Sequence, residues 1–385
     1  MRNREPLFLT SYAMAVSEEI LRRSHFADIT GVSYLFYGIL AVSCLMSLLK
    51  IALDLYDGRI RRSYLVFLIA GTAYMAFLVL RGQSDAFMVL WLFIAASHDV
   101  DFKKIIKTAA ISMLLSVLLV FISGAVGIIE NTTVTRMREG EEHDRSGLGF
   151  TAAYHPAYFF FFGMLSWFYY RGKKLSLFEI AVFAAASAYI FKQSDTRGPF
   201  LLSVLLIVIA GIYRLFPAFA KHRRFYTVLG AAVPVMAAAF IIYQGIEMYP
   251  QDYTFTRILN KKLSTRLWLN YNGVHTYGIT LLGQNINWSI GDIENVAYNW
   301  VDSVYLYSLL SYGVPFLLAF LYTSGRLSVS AGKKKDTFMI IALLLIAVLG
   351  MLDNYCFRVE CNPFYLGLSY CSTCAKGVNK TFTTS

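Results

Sequence analysis

The chain has 385 residues, 57% of them hydrophobic and only 15% charged, with 26 Tyr, 30 Phe and a net charge of +11. A soluble domain carries roughly 25% charged residues, so an ordinary soluble globular protein is excluded. These proportions call for repeated crossings of a bilayer core about 30 Å thick.

In chain order, apolar windows predict twelve helical spans: 7–21, 31–49, 63–80, 85–97, 108–129, 151–170, 177–191, 198–213, 225–246, 302–324, 337–353 and 363–375. We expect no cleavable leader before the first of them. The alternating ten-residue segments of an outer-membrane barrel are missing. The expected fold is all-α: one polytopic helical bundle, residues 1–385, with a large external loop over 247–301.

The connections sort by charge. Segments 1–6, 50–62, 98–107, 171–176, 214–224, 325–336 and 376–385 hold 22 of the 35 Lys and Arg residues. By the positive-inside rule these face the cytoplasm, with both termini inside. The net positive charge is then an effect of topology, and nucleic acid is not an expected partner. Without a G-x-x-x-x-G-K-S/T motif, ATP-driven transport is not expected either. The five cysteines include Cys371-Ser-Thr-Cys374, but with no second pair and no histidine partner they specify no metal or redox site. No metal or cofactor is expected.

Three segments on the opposite, outer face carry candidate chemistry. The first, 130–150, mixes both charge signs, and its Arg145 lies nearest a span containing His155-Pro156. The second is the turn "KQSDTR" (192–197), which sets Arg197 at the end of a span. A charge at such depth snorkels, finds a partner or acts on a ligand. The third, 247–301, interleaves Trp268, Trp288, Trp300, Tyr253, Tyr271, Tyr277 and Tyr298 with Arg257, Lys261, Lys262 and Arg266. Aromatics beside cations suit a surface that stacks on sugars while holding phosphate, and equally one that lies in a membrane interface.

The outward "SDTRG" (194–198), then "STRLWLNYNGVHTYGITLLGQNI" (264–286), then "NWVDSVYLYSLLSYGVPFLL" (299–318) resemble the bacterial O-antigen and capsular polysaccharide polymerases (Wzy type), relatives of the O-antigen ligases. "RSGLGFTAAYHPAYF" (145–159) and "FRVECNPFYLGL" (357–368) are similar to further features of that family. The resemblance implies a glycosyltransferase-C-like bundle in the bacterial cytoplasmic membrane. It implies a reaction that joins undecaprenyl-diphosphate-linked oligosaccharide repeat units on the outer face. Implied partners are that lipid-linked donor, membrane lipids, and a flippase and chain-length regulator. Related ligases place a histidine near the start of the span after the long loop, where this chain has Asp302-Ser303, and the difference favours a polymerase.

Arginine suits a departing diphosphate because it stays charged and offers a planar fork of donors. Arg197, Arg266 and Arg145 are the expected diphosphate ligands. Asp302, Glu360 and His155, in that order, are candidates for the base that activates the acceptor hydroxyl. Trp268, Tyr271 and Tyr305 are the expected sugar contacts. A ligase, or a lipid-linked oligosaccharide flippase or other transporter, is the alternative reading.

Overall fold

The computed structural model describes residues 4–82, 86–138, 141–215, 223–248, 254–289 and 299–369. Cys371, Cys374, Tyr253 and Tyr298 lie outside them. The described residues form fourteen α-helices: α1 (Glu5–Leu21), α2 (Val32–Tyr56), α3 (Arg62–Leu80), α4 (Ala86–Ala96), α5 (Phe102–Ala125), α6 (His155–Arg171), α7 (Leu177–Ser194), α8 (Arg197–Leu215), α9 (Arg223–Glu247), α10 (Thr254–Lys262), α11 (Arg266–Tyr277), α12 (Val304–Tyr312), α13 (Val314–Lys333) and α14 (Thr337–Leu349). One antiparallel hairpin interrupts them, β1 (Thr133–Arg138) and β2 (Glu141–Ser146), with Val134 opposite Arg145.

Among the described residues, six helices are long and apolar enough to cross a membrane: α2, α3, α5, α8, α9 and α13. Their apolar side chains are exposed where a soluble protein would hide them. On α5, Ile105, Ala109, Met113 and Val117 are buried while Leu115, Leu118, Leu119 and Ile122 are exposed. Such a face is tolerable only against lipid. The protein is a helical membrane protein.

The chain forms two compact units, one of residues 1–69, 89–223 and 358–385, the other of 70–88 and 224–357. The core of the first is α1 and α6. Phe8, Tyr12, Ala15, Val16 and Ile20 of α1 are fully buried, as are Phe159, Phe161 and Phe162 of α6. Polar segments of this unit gather in two sets. In one, Arg4 pairs with Asp54 at 3.0 Å and with Asp57, Lys50 with Asp54 at 2.7 Å, and Lys104 with Glu5. Lys107 lies over Tyr170, and Arg214 donates to the Leu175 carbonyl. In the other, the backbone of 23–25 bonds to 149–151, His25 meets Thr132, and β2 contacts α7. The first set contains only segments expected inside, the second only segments expected outside.

The other expected spans fall on helices shorter or less apolar than a crossing requires, and two expected spans are not single α-helices. Residues 302–324 are not one helix but two, broken at Gly313. The break leaves α12 carbonyls and the first α13 amide without helical partners, a cost that membrane-embedded backbone cannot leave unmet. Residues 281–284 meet it: Gln284 N donates to Leu310 O (3.2 Å) and Ser311 O (3.1 Å), and Val314 N donates to Leu281 O (2.9 Å). The described part of 363–375 opens as a 3-10 turn, Pro363–Gly367, rather than a spanning α-helix. The expected loop 247–301 is also more ordered than a loop, because it contains α10 and α11.

Gly283 (φ +72°) and Gly313 (φ +87°) interlock at the break, and a Cβ on either would overlap the other strand's backbone. Gly283→Ala or Gly313→Ala should therefore destabilise the second unit by more than the 1–2 kcal/mol of a left-handed L-residue alone. Gly325→Ala, whose Cβ meets open space, should be neutral. Thermal unfolding of the three variants in detergent checks the ranking.

Candidate functional site

The end of α1, "SEEILRR" (17–23), concentrates four charges. Glu18 and Arg22, and Glu19 and Arg23, stand four residues apart, the spacing that brings side chains together on a helix. Arg22 Nε lies 2.8 Å from Glu18 Oε1, and Arg22 Nη2 lies 2.7 Å from Glu19 Oε2. Arg23 reaches Glu19 at 3.6 Å and Glu360 Oε1 at 3.5 Å, and Arg358 stands 4.0 Å from the same oxygen. Three carboxylates and three guanidiniums thus share one cluster in the first unit. Glu360 is only 1% exposed.

The segment that delivers Glu360 is irregular and almost wholly inside the protein. Val359, Glu360, Cys361, Asn362, Phe364 and Leu366 are buried, and the Tyr12 hydroxyl donates to the Val359 carbonyl at 3.2 Å. Burial first, and the Glu19 carboxylate second, push the Glu360 carboxyl up to about 7. Arg23 opposes that shift without cancelling it. The shift is in the direction that a general base working near neutral pH requires. His155 opens α6 in the same unit, 6% exposed, its ring stacked on Phe159 at 5.7 Å and within electrostatic reach of Arg23.

Arg145 and the turn bearing Arg197 also meet. Arg145 Nε donates to the Ser194 carbonyl at 2.7 Å, and its Nη2 donates to Thr196 Oγ1 at 3.1 Å. Asp195 ends α7 in the left-handed region (φ 44°, ψ 41°), its amide donating to Phe191 O. Phe191 and Phe200 stack across the turn at 4.2 Å. Arg197 is exposed and begins α8, where the helix dipole is positive. A cation there works against the helix and strengthens the local attraction for an anion. Arg145 spends these two bonds on the turn, so its position is that of a support for Arg197.

In the second unit, Arg266 and Asp302 form one ion pair, Nε to Oδ2 at 2.9 Å. Arg266 also donates to the carbonyls of Leu352 (3.1 Å) and Leu263 (3.3 Å). The residue preceding α12 is Ser303, so Asp302 serves the arginine and not the helix start. The expected clamp and the expected base are partners. Trp268 is exposed, and Tyr271 stacks on His275 at 3.8 Å. Tyr305 corrects the expectation: it is fully buried with its hydroxyl donated to Ala347 O at 2.8 Å, so it packs the core and presents no face to a sugar. Half-buried rings gather instead at Trp288, which lies 6.2 Å from Trp300 and 5.7 Å from Tyr277 and packs on the buried Tyr307 at 5.4 Å.

Glu18, Glu19, Arg22 and Arg23 are the members that sequence reasoning did not single out. The signal was present in two Glu–Arg pairs at i, i+4 closing an apolar helix. Comparison of the chain with protein-family models, with curated proteins and with solved structures gives no match.

Arg145→Gln removes two charge-assisted bonds, each worth about 1.5–3 kcal/mol. Amide hydrogen exchange at 194–197 should rise at least tenfold while exchange within α6 stays unchanged. Equal protection in both proteins would detach Arg145 from the turn.

Proposed function

We propose that the protein is a polysaccharide polymerase of the bacterial cytoplasmic membrane, acting on oligosaccharide repeat units carried on a lipid diphosphate. The observation that carries this reading is Glu360, a buried carboxyl 3.5 Å from Arg23 and 4.0 Å from Arg358. The motif order described above supplies the substrate class. The segregation of polar segments in the first unit supports the alternating topology, with 22–30, 130–150, 192–197 and 354–362 outside and both termini inside. In this reading twelve segments cross or enter the membrane, 302–324 as a broken helix and 363–375 beginning as a buried irregular turn. The glycosyltransferase-C-like bundle remains part of the same proposal.

The chemistry follows from the residues. Glu360 takes the proton of the acceptor hydroxyl, and that oxygen forms the new bond to the anomeric carbon. The bond from that carbon to the diphosphate oxygen breaks, and its electron pair leaves with the lipid diphosphate. Arg197, in the same unit as Glu360 and with its turn held by Arg145, meets the charge that develops there; within the second unit, Arg266 oriented by Asp302 offers the same kind of cation. Among the three base candidates Glu360 ranks first, because Asp302 is committed to Arg266 and His155 is enclosed by aromatic rings. Trp268, Tyr271 and the Trp288 group are the stacking surfaces for sugar rings.

One observation favours a second reading, a lipid-linked oligosaccharide transporter. Transporters bind substrate at broken helices, and α12 and α13 are separated by such a break. The lipid-linked material that accumulates without the protein separates the readings: single units outside for a polymerase, units trapped inside for a transporter.

The decisive variant is Glu360→Gln, assayed by polymerisation of purified lipid-linked repeat units. The base must be ionised, so the rate of the unaltered protein should rise with pH through about 7. Glu360→Gln should lower the rate roughly a hundredfold or more and flatten that profile. The stability linkage has the opposite sign. A carboxyl raised from 4.5 to about 7 costs the fold progressively as pH climbs between those values. The variant should therefore lose that decline in stability. An unchanged rate and profile in well-folded Glu360→Gln would remove Glu360 as the base.

A further inference from the structure

The nine residues of α10, "TFTRILNKK", divide into three faces. Phe255, Ile258, Leu259 and Lys262 follow the i, i+3, i+4, i+7 spacing of one helix face, and Phe255 is 70% and Ile258 51% exposed. Arg257 and Lys261 form an exposed basic flank. Thr256 is buried, and Asn260 Oδ1 accepts the Trp268 backbone N–H at 3.0 Å, so the third face is the one held by the protein. A helix this short is marginal in water without a surface to lie on. One inward face, one exposed apolar face and a basic flank with no acidic residue are the features of a helix lying in a membrane interface.

We infer that α10 lies in the interfacial layer of the membrane, with Phe255 and Ile258 among the acyl chains and Arg257, Lys261 and Lys262 on anionic phospholipid headgroups. The occupant follows from charge complementarity. Three cations within six residues, none opposed by an acid in the helix, draw anionic lipid to the surface. Lys262 ends the apolar face, where a long stem lets its ammonium rise to the headgroups.

The anchorage is transmitted to Arg266. Two consecutive residues in the left-handed region, Ser264 (φ 55°) and Thr265 (φ 66°), join α10 to α11. Such a pair persists only where its surroundings fix it. Here Thr265 N donates to Asn260 O at 2.8 Å, and Ser264 N donates to Lys261 O at 3.2 Å. With the Asn260–Trp268 bond, these contacts make α10 and the start of α11 one corner. Arg266 and its partner Asp302 are thereby held at a fixed depth below the headgroups.

This inference rests on membrane insertion and not on the polymerase reading, so its test measures depth and not transfer. Phe255→Trp, Ile258→Trp and Arg257→Trp would each be reconstituted as the full chain into vesicles with brominated acyl chains. Quenching beyond that of the unaltered protein is expected for tryptophan at 255 and 258 and not at 257. No extra quenching at 255 and 258, or equal quenching at all three positions, would overturn it. In the Ile258→Trp protein, quenching should be stronger in phosphatidylglycerol vesicles than in phosphatidylcholine vesicles. Adding Arg257→Gln, Lys261→Gln and Lys262→Gln should abolish the difference. Equal quenching in the two lipids before those changes would refute the anionic preference.

Discussion

The contact between Arg23 and Glu360 is the constraint on which the organisation of the first unit depends. It joins the last turn of α1 to an irregular segment from the far end of the chain. Irregular backbone away from water survives only where protein surrounds it, and α1 and α5, with Tyr169 of α6 against Phe364, provide that enclosure. An ion pair at such burial contributes little to net stability, because desolvation offsets much of the attraction. What it supplies is specificity: with three acids and three arginines in one cluster, losing any member leaves a buried charge uncompensated. The same desolvation leaves Glu360 titrating near neutrality. Structure and proposed chemistry thus share one cause.

The second unit solves a related problem by other means. A helix broken at Gly313 exposes backbone groups, and 281–284 returns to bond them. That return places Asn287, Trp288 and Ser289 beside α12, where Trp288 Nε1 donates to Ser311 Oγ at 3.1 Å. The half-buried aromatic group around Trp288 is therefore a consequence of repairing the break. Asp302 and Arg266 sit at the other end of α12, between the α10–α11 corner and the carbonyl of Leu352. In both units the arginines proposed to face diphosphate are held by neighbours: Arg145 grips the turn of Arg197, and Asp302 holds Arg266.

Much of the helical architecture was legible because hydropathy responds directly to the bilayer. The windows 63–80, 198–213 and 225–246 lie within α3, α8 and α9. Departures arise where burial in protein and burial in lipid leave the same composition. "FRVECNPFYLGL" reads as the approach to a span, yet it is apolar because it packs on α1 and α5, and periodicity cannot separate the two over so short a run. Tyr305 reads as one more loop-side aromatic, but its place in the core depends on the Ala347 carbonyl, which no local pattern announces. Asp302 was chosen for its position at a helix start, and the partner that changes its role lies 36 positions earlier. Glu360 was legible as an isolated acid, while its environment, made by Glu19 and Arg23, was visible only after folding.

The most direct measurement is a double-mutant cycle on Arg23 and Glu360, read by equilibrium unfolding in detergent. Arg23→Gln, Glu360→Gln and the double variant are compared at about pH 8, where Glu360 is ionised, and at about pH 5, where it is protonated. A buried carboxylate 3.5 Å from Arg23 predicts a coupling energy above about 0.5 and up to about 3 kcal/mol at the higher pH. The coupling should shrink markedly at the lower pH. Effects that add to within about 0.5 kcal/mol at both pH values would contradict the account, because Arg23 and Glu360 would then not form the ionic contact that organises the first unit.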